Sequence, residues 1–313
     1  MKNLLLILQC LILFTACQQE KIDLPDTGRK IVINGLIETD SLLNVYVNKS
    51  VYISEYDYPM GKDLDNAKVY IYQNNVCIDS LTHDLDHFGE SSMYNPGNYW
   101  STSVIPMPGN EYKIVAKVPG LPDASASTKI PNIVNIEHID TLRLVLGLDT
   151  GYHNTSERFE HLICKIEFTD PKNETNYYLF NTGKSFLCQD PIVEEELYDV
   201  NSNNGQSDGS YVEGIAFSDK VINGQKYSLT ISIPERGWYI DSLKTRIFPK
   251  LTADLKLYSI TEEYFKYIQT LNLYNAKFGN PLTEPVLVYS NITGGYGIFA
   301  GAAVSSKSII VRK

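Results

Sequence analysis

The chain has 313 residues, with 27 Lys and Arg against 37 Asp and Glu, for a formal net charge of −10. That balance excludes a phosphate-backbone partner such as nucleic acid, which needs clustered Lys and Arg to displace counterions. Apolar content of 43% supports a real core, and 22 Tyr beside 4 Met and 2 Trp favours strands over helices.

The first residues read as a leader. "MKN" is a short basic start, Leu4 to Phe14 is an apolar run, and Thr15, Ala16 and Cys17 follow. The run is too short to span a bilayer and has the form of a signal-peptide core. An ordinary signal peptide cut near Ala16 would leave Cys17 incidental, but a Cys directly after small residues looks like a bacterial lipobox, with Phe14 standing where Leu is usual. Residues 1–16 are then a lipoprotein signal peptide, and Cys17 is the acylated first residue of the mature chain. Several acyl chains on one Cys make a stable anchor where one would not. Function is expected beyond an inner membrane, at the outer membrane, on its periplasmic or cell-surface face. Acidic residues soon after the lipidated Cys would favour the surface, but only Glu20 lies close and Lys21 follows it.

Residues 17–29 hold Cys17 and a polar tether. Strands are then expected at Lys30–Ile37, Asn44–Ile53, Ala67–Leu81 and Pro108–Val118, with Ser127–Pro131 closing the unit. Within the third, Asn74-Asn75 tolerates the left-handed conformation of a tight hairpin. Short alternating strands separated by turn signals predict a β-sandwich over residues 30–131, Ig-like or carboxypeptidase-regulatory-like. Residues 132–313 predict a second β-rich, sandwich-like domain. There Leu162–Pro171 and Asn176–Gly183 read as a strand pair, Glu194–Gly214 as a long polar loop, and Phe217–Pro234 as turn and strand. One helix is expected near residues 260–277. Ser259 and Glu262 form a capping box, Tyr264, Ile268 and Leu271 share a face, and Gly279 and Pro281 end it.

The tail "NPLTEPVLVYSNITGGYGIFAG" (Asn280–Gly301) is rich in glycine, yet no Lys-Ser/Thr and no helix follow, so it is not a phosphate loop. "EPVLVYSN" alternates like a strand, and Ile292–Gly295 reads as a turn. The glycines are expected to be backbone devices for positive φ and close approach.

Candidate sites are few. Cys77, Cys164 and Cys188 remain after the leader and Cys17 are set aside. Cys164 and Cys188 can form a disulfide if their strands are neighbours; buried free thiols are the other reading. "GQSDG" (Gly205–Gly209) places Ser207 in a polar loop, without the strand-turn-helix elbow a nucleophile needs. In the same loop Asp199, Asn201 and Asn203 alternate as in a calcium site, but no Glu closes it. "HDLDH" (His83–His87) offers metal-type ligands that would diverge on a strand. Tyr94, Tyr99 and Trp100 offer aromatic faces for a sugar, or serve as core. No cofactor pattern and no catalytic constellation stand out. Asp-Ser/Thr-Leu recurs at Asp40, Asp79, Asp140 and Asp241, and resembles an O-glycosylation acceptor of exported Bacteroidota proteins.

Several stretches together resemble one family, the uncharacterised outer-membrane lipoproteins of Bacteroidota classed as a domain of unknown function. They are "IVINGLI", "NAKVYIYQNN", "PGNEYKIVAKV", "FTDPKNETNYY", "FSDKVINGQKY" and the long "GNPLTEPVLVYSNITGGYGIFAG". The resemblance implies β-sandwich architecture, genes near TonB-dependent outer-membrane receptors, and an accessory role in nutrient uptake. It carries over no catalytic residue. The expected function is a lipid-anchored binding or accessory protein with such a receptor as partner. A surface adhesin or glycan-binding module is the alternative, and a hydrolase built on the Glu194–Gly214 loop is a third reading.

Overall fold

The computed structural model describes residues 28–52, 64–84, 97–149, 157–182, 187–188, 198–199, 214–234, 239–240, 246–247, 251–277 and 284–312. The first seven strands are β1 (Ile31–Glu38), β2 (Asn44–Lys49), β3 (Lys68–Gln73), β4 (Val76–His83), β5 (Tyr99–Trp100), β6 (Glu111–Lys117) and β7 (Ala124–Lys129). β1 shows why they form: Ile31, Ile33, Gly35 and Ile37 are buried, and Val32, Asn34, Leu36 and Glu38, which alternate with them, are partly exposed. Period-two burial of β-branched residues is the signature of a strand with one face on a core. The β3–β4 hairpin turns through Asn74 and Asn75, with φ of 48° and 67°, as a two-residue left-handed turn requires.

The remaining strands are β8 (His138–Asp149), β9 (Glu157–Thr169), β10 (Tyr177–Asn181), β11 (Leu187–Cys188), β12 (Tyr198–Asp199), β13 (Ile215–Ser218), β14 (Lys226–Pro234), β15 (Tyr239–Ile240), β16 (Arg246–Ile247), β17 (Leu251–Ile260) and β18 (Tyr296–Arg312). Among the described residues a helix, α1 (Glu262–Lys277), lies between the last two.

β18 organises the fold. Its first half runs parallel to β1, from Val32 opposite Tyr296 to Glu38 opposite Ala302. Its second half runs antiparallel to β17, from Ile260 opposite Ala302 to Leu251 opposite Arg312. The strand order β18-β1-β2-β5-β4-β3-β6-β7 forms the first sandwich. It curls back on itself, because Ser125 of β7 exchanges backbone hydrogen bonds of 3.0 and 2.8 Å with Thr293, just ahead of β18. The first core therefore contains Ile292, Phe299 and Ala303 beside residues from β1 to β7. The sheet runs across the boundary expected at 131/132, since the chain's last strand completes its first sandwich.

In the second half, the sheet β11-β14-β9-β8 packs on one face of β13-β10-β17-β18. Phe168, Tyr178, Phe180, Phe217, Leu229, Ile231 and Leu257 fill the space between. The opposite face carries α1, whose Tyr264, Phe265 and Ile268 pack with Leu179, Tyr258, Ala300 and Ala302. The expected pairing of the 162–171 and 176–183 strands does not occur. β9 pairs with β8 and β14, while β10 pairs with β13 and β17. The two lie in different sheets and meet across the core, with the Phe168 and Tyr178 rings 5.3 Å apart.

The helix begins at Glu262, two residues later than a cap at Ser259 would start it. Thr261 is the N-cap: its Oγ1 accepts from Tyr264 N at 3.4 Å and its carbonyl from Phe265 N at 3.1 Å. Ser259 stays in β17, where its Oγ accepts from Val134 N at 3.2 Å. Glu262 pairs with Lys266 one turn on, at 2.9 Å. "EPVLVYSN" is not a strand. Pro285 has no N–H to offer a ladder. Tyr289 N bonds the Thr270 hydroxyl at 2.8 Å instead. Asn291 then imitates a strand neighbour, its amide bonding both Phe299 O at 2.7 Å and Phe299 N at 2.9 Å. Gly297 behaves as the sequence predicts: its φ is 105°, and a Cβ there would meet Ile33 O at 2.1 Å. Only glycine lets β18 lie this close to β1.

Candidate functional site

The aromatic candidates are interior. Tyr99 and Trp100 form β5, between β2 and β4, and are 1% and 5% exposed. The Tyr99 hydroxyl donates to Leu64 O and accepts from Ala67 N at 3.0 Å, and the His83 ring stands edge-on to its ring at 5.2 Å. Trp100 Nε1 donates to Gly97 O at 3.0 Å. These side chains are core members with satisfied polar ends, so the sugar platform expected of them is not there. Tyr94 lies outside the described residues, as do Cys17, Ser207, Asn201, Asn203 and residues 85–87 of the "HDLDH" stretch. Asp199 sits on β12, its backbone paired with Ile215. Among the described residues no His/Cys/Asp/Glu group is placed to hold a metal.

The disulfide expectation fails on register. Cys188 lies opposite Ile231 of β14, and Ile231 lies opposite Cys164 of β9. The two cysteines are therefore two strands apart, about 10 Å between Cα atoms. A disulfide spans no more than about 7 Å. Cys164 is a free, fully buried thiol, and burial pushes its pKa up to about 11. Cys77 on β4 is an exposed free thiol.

Two polar clusters went unread in the sequence. The first is a pair of aspartates, Asp170 and Asp219, each 2% exposed. Asp170 accepts from the Tyr178 hydroxyl and from Gly224 N at 2.8 Å. Asp219 accepts from Asn176 N at 2.9 Å and from Asn223 Nδ2 at 3.1 Å. Burial raises the pKa of Asp219, the Asp170 charge adds to this, and the Asn176 N–H opposes it. Burial first, and then the bond to Asp170, pushes the Tyr178 phenol well up. The oxygens are engaged by donors from the loops they join. This arrangement clasps the 170–176 turn to the 219–225 turn, which brings "FTDPKNETNYY" against "FSDKVINGQKY". The signal in the sequence was an Asp opening each of two turn-rich, strand-flanked stretches.

The second cluster lies at the edge of the α1 layer. Glu38 ends β1, opposite Ala302 of β18, on the same face as Leu36, which packs under α1. Alanines at 300 and 302 leave room there for larger neighbours. Tyr258 of β17 and Tyr264 of α1 are 4% and 5% exposed, and burial holds both phenols well above their ordinary range. Lys256 Nζ meets Asp40 Oδ2 at 3.0 Å. Glu38 is raised to about 7, by burial first and then by the Asp40 charge; Lys256 opposes this. A hydrogen bond to Asp40 also favours the protonated form. The cluster can hold or release one proton near neutral pH, a property usual at functional sites and also found in structural networks. Glu38 lies one residue past the strand expected at Lys30–Ile37, with its side chain on the face opposite Ile31, Ile33 and Ile37. The sequence could not show that a helix covers that face too.

Together these features define a double β-sandwich protein with a helix covering one face of the shared sheet. Its buried carboxylates, Asp170 and Asp219, are engaged in joining loops. By its sequence the chain belongs to the family described as Domain of unknown function (DUF4249), whose model matches residues 19–308, starting two positions after Cys17. No curated protein and no solved structure gives a significant match.

Proposed function

We propose that the protein is a lipid-anchored outer-membrane binding or accessory protein, partnered with a TonB-dependent receptor in nutrient uptake. The observation that carries this reading is the Leu4–Phe14 run closing on Thr15-Ala16-Cys17, with a polar tether to Gly28. The roles of the conspicuous side chains support binding over catalysis. Tyr99 and Trp100 build core, and Asp170 and Asp219 hold loops. The family resemblance supports the receptor as partner.

Metabolic labelling with a fatty acid tests the anchor: the wild-type chain takes up label and Cys17→Ser does not. Affinity purification from detergent-solubilised outer membrane tests the partner. Recovery with a receptor is expected; recovery only as a free monomer overturns the partner assignment.

A further inference from the structure

We propose that the end of the first sandwich nearest the tether is a membrane-contacting surface, seated on phospholipid headgroups through Arg29, Lys30, Lys49, Lys68 and Lys117. The inference rests on the Cys17 anchor and goes beyond it, because an anchor alone leaves the fold free to face any way. The ten tether residues Gln18–Thr27 reach about 35 Å at full extension. The start of β1 is thus the part of the described fold held nearest the bilayer.

Strand direction gathers the cations there. β1 and β18 run parallel and both begin at this end, and β2, antiparallel to β1, finishes there with Lys49 opposite Ile31. Following the antiparallel pairings around the sandwich, β3 begins and β6 finishes at the same end. Lys68 stands directly opposite Lys117 across that pair. Like charges directly opposite on a sheet destabilise it, and a bound phosphate removes that cost. Lys117 also meets Asp123 at 3.3 Å, and Asp65 and Asp84 add carboxylates at this end, Asp84 directly after β4.

The aromatic residues fit the same partner. Lys30 Nζ lies 4.8 Å from the centre of the Tyr296 ring, and Arg29 Cζ lies 5.8 Å from that of Tyr52. Tyr296 is 43% exposed and Val51 44%. Tyrosine rings settle at headgroup level, with an apolar body inward and a hydroxyl in water. Charges of both signs suit a headgroup layer and not a polyanion. In a chain of net charge −10, excess cation on the strand ends at the tether is the orientation a membrane with phosphate headgroups selects.

The test is amide hydrogen exchange of the acylated mature chain in vesicles of three parts phosphatidylethanolamine to one part phosphatidylglycerol, compared with neutral detergent micelles. Exchange at residues 28–31, 49–52, 117–123 and 293–296 should slow several-fold in vesicles. It should be unchanged at 73–76 and 108–111, at the other end. Half-molar salt, or the combined substitutions Lys30→Glu, Lys49→Glu and Lys68→Glu, should abolish the slowing. The salt arm needs no variant, so a poorly folding variant does not spoil the test. Retention on vesicles with no slowing at these residues, or with slowing insensitive to salt, overturns this inference alone. Release of the chain by an alkaline wash overturns the anchor and this inference together.

Discussion

Glu38→Gln is expected to stabilise the protein at pH 8 and to leave it unchanged near pH 4. In the folded chain Glu38 is raised from the model-compound value of 4.5 to about 7, mainly because burial disfavours its charge. Folding therefore binds a proton more tightly than the unfolded chain does. This contribution is favourable below about 4.5 and is lost as pH rises through 7. Above that, the folded chain carries the cost of an ionised carboxylate beside Asp40. A shift of about 2.5 units at 1.36 kcal/mol per unit gives about 3 kcal/mol as a ceiling. The side chain is partly exposed and water screens it, so about 1–2 kcal/mol is the expected size. Gln keeps the shape and the hydrogen bond while removing the charge. Urea unfolding followed by far-ultraviolet circular dichroism should show a higher midpoint for Glu38→Gln at pH 8 and coincident curves near pH 4. An equal offset at both pH values would refute the reasoning, because the gain would then come from packing or propensity and not from the proton.

Four further outcomes follow from the geometry. Gly297→Ala should cost about 3 kcal/mol or more, because positive φ and contact with Ile33 O act together; Gly109→Ala, at φ 79° with nothing within 4 Å, should cost about 1. Thermal melting of the pair separates contact from conformation, and equal losses would contradict the close approach of β18 to β1. Asp170→Asn should lose about 2 kcal/mol and Tyr178→Phe about 1, read by urea midpoints, since the first disturbs the acceptor of Gly224 N and the second removes a single donor. Thiol titration of the mature chain, unfolded without reductant, should find Cys77, Cys164 and Cys188 all free; one free thiol would refute the register argument. Thr261→Ala should cost about 1 kcal/mol through the lost helix cap, and Ser259→Ala should leave helix content unchanged in circular dichroism.

What the sequence made legible is what local chemistry decides. Asn74-Asn75 announces its hairpin because few residues accept positive φ in succession, and β1 announces its inward face by alternation. Tyr264 and Ile268 are buried on α1 as their spacing implies. The misread features depend on distant chain. The 162–171 and 176–183 strands look like a hairpin, and only the choice of partner strands sends them to opposite sheets. Cys164 and Cys188 look like a pair until Ile231 intervenes. Tyr99 and Trp100 look like a binding platform because their loop is polar, while their burial is set by strands β2 and β4 on either side. Glu38 and Asp219 owe their proton affinities to neighbours far along the chain, or to turns, that no motif records.

The long final strand has a consequence for biogenesis. Val32 and Tyr296 are 264 positions apart, yet they are partners in a parallel ladder. The free energy of the N-terminal sandwich is therefore withheld until the C-terminus is present, and closing so distant a contact is slow. A chain made from its N-terminus cannot complete its first sandwich and then its second. It is expected to stay threadable for nearly its whole length, which suits the export proposed above. Loss of the last twenty or so residues would leave β1 with a bare edge and both sandwiches unfinished, so truncation at the C-terminus should cost the whole protein and not one domain.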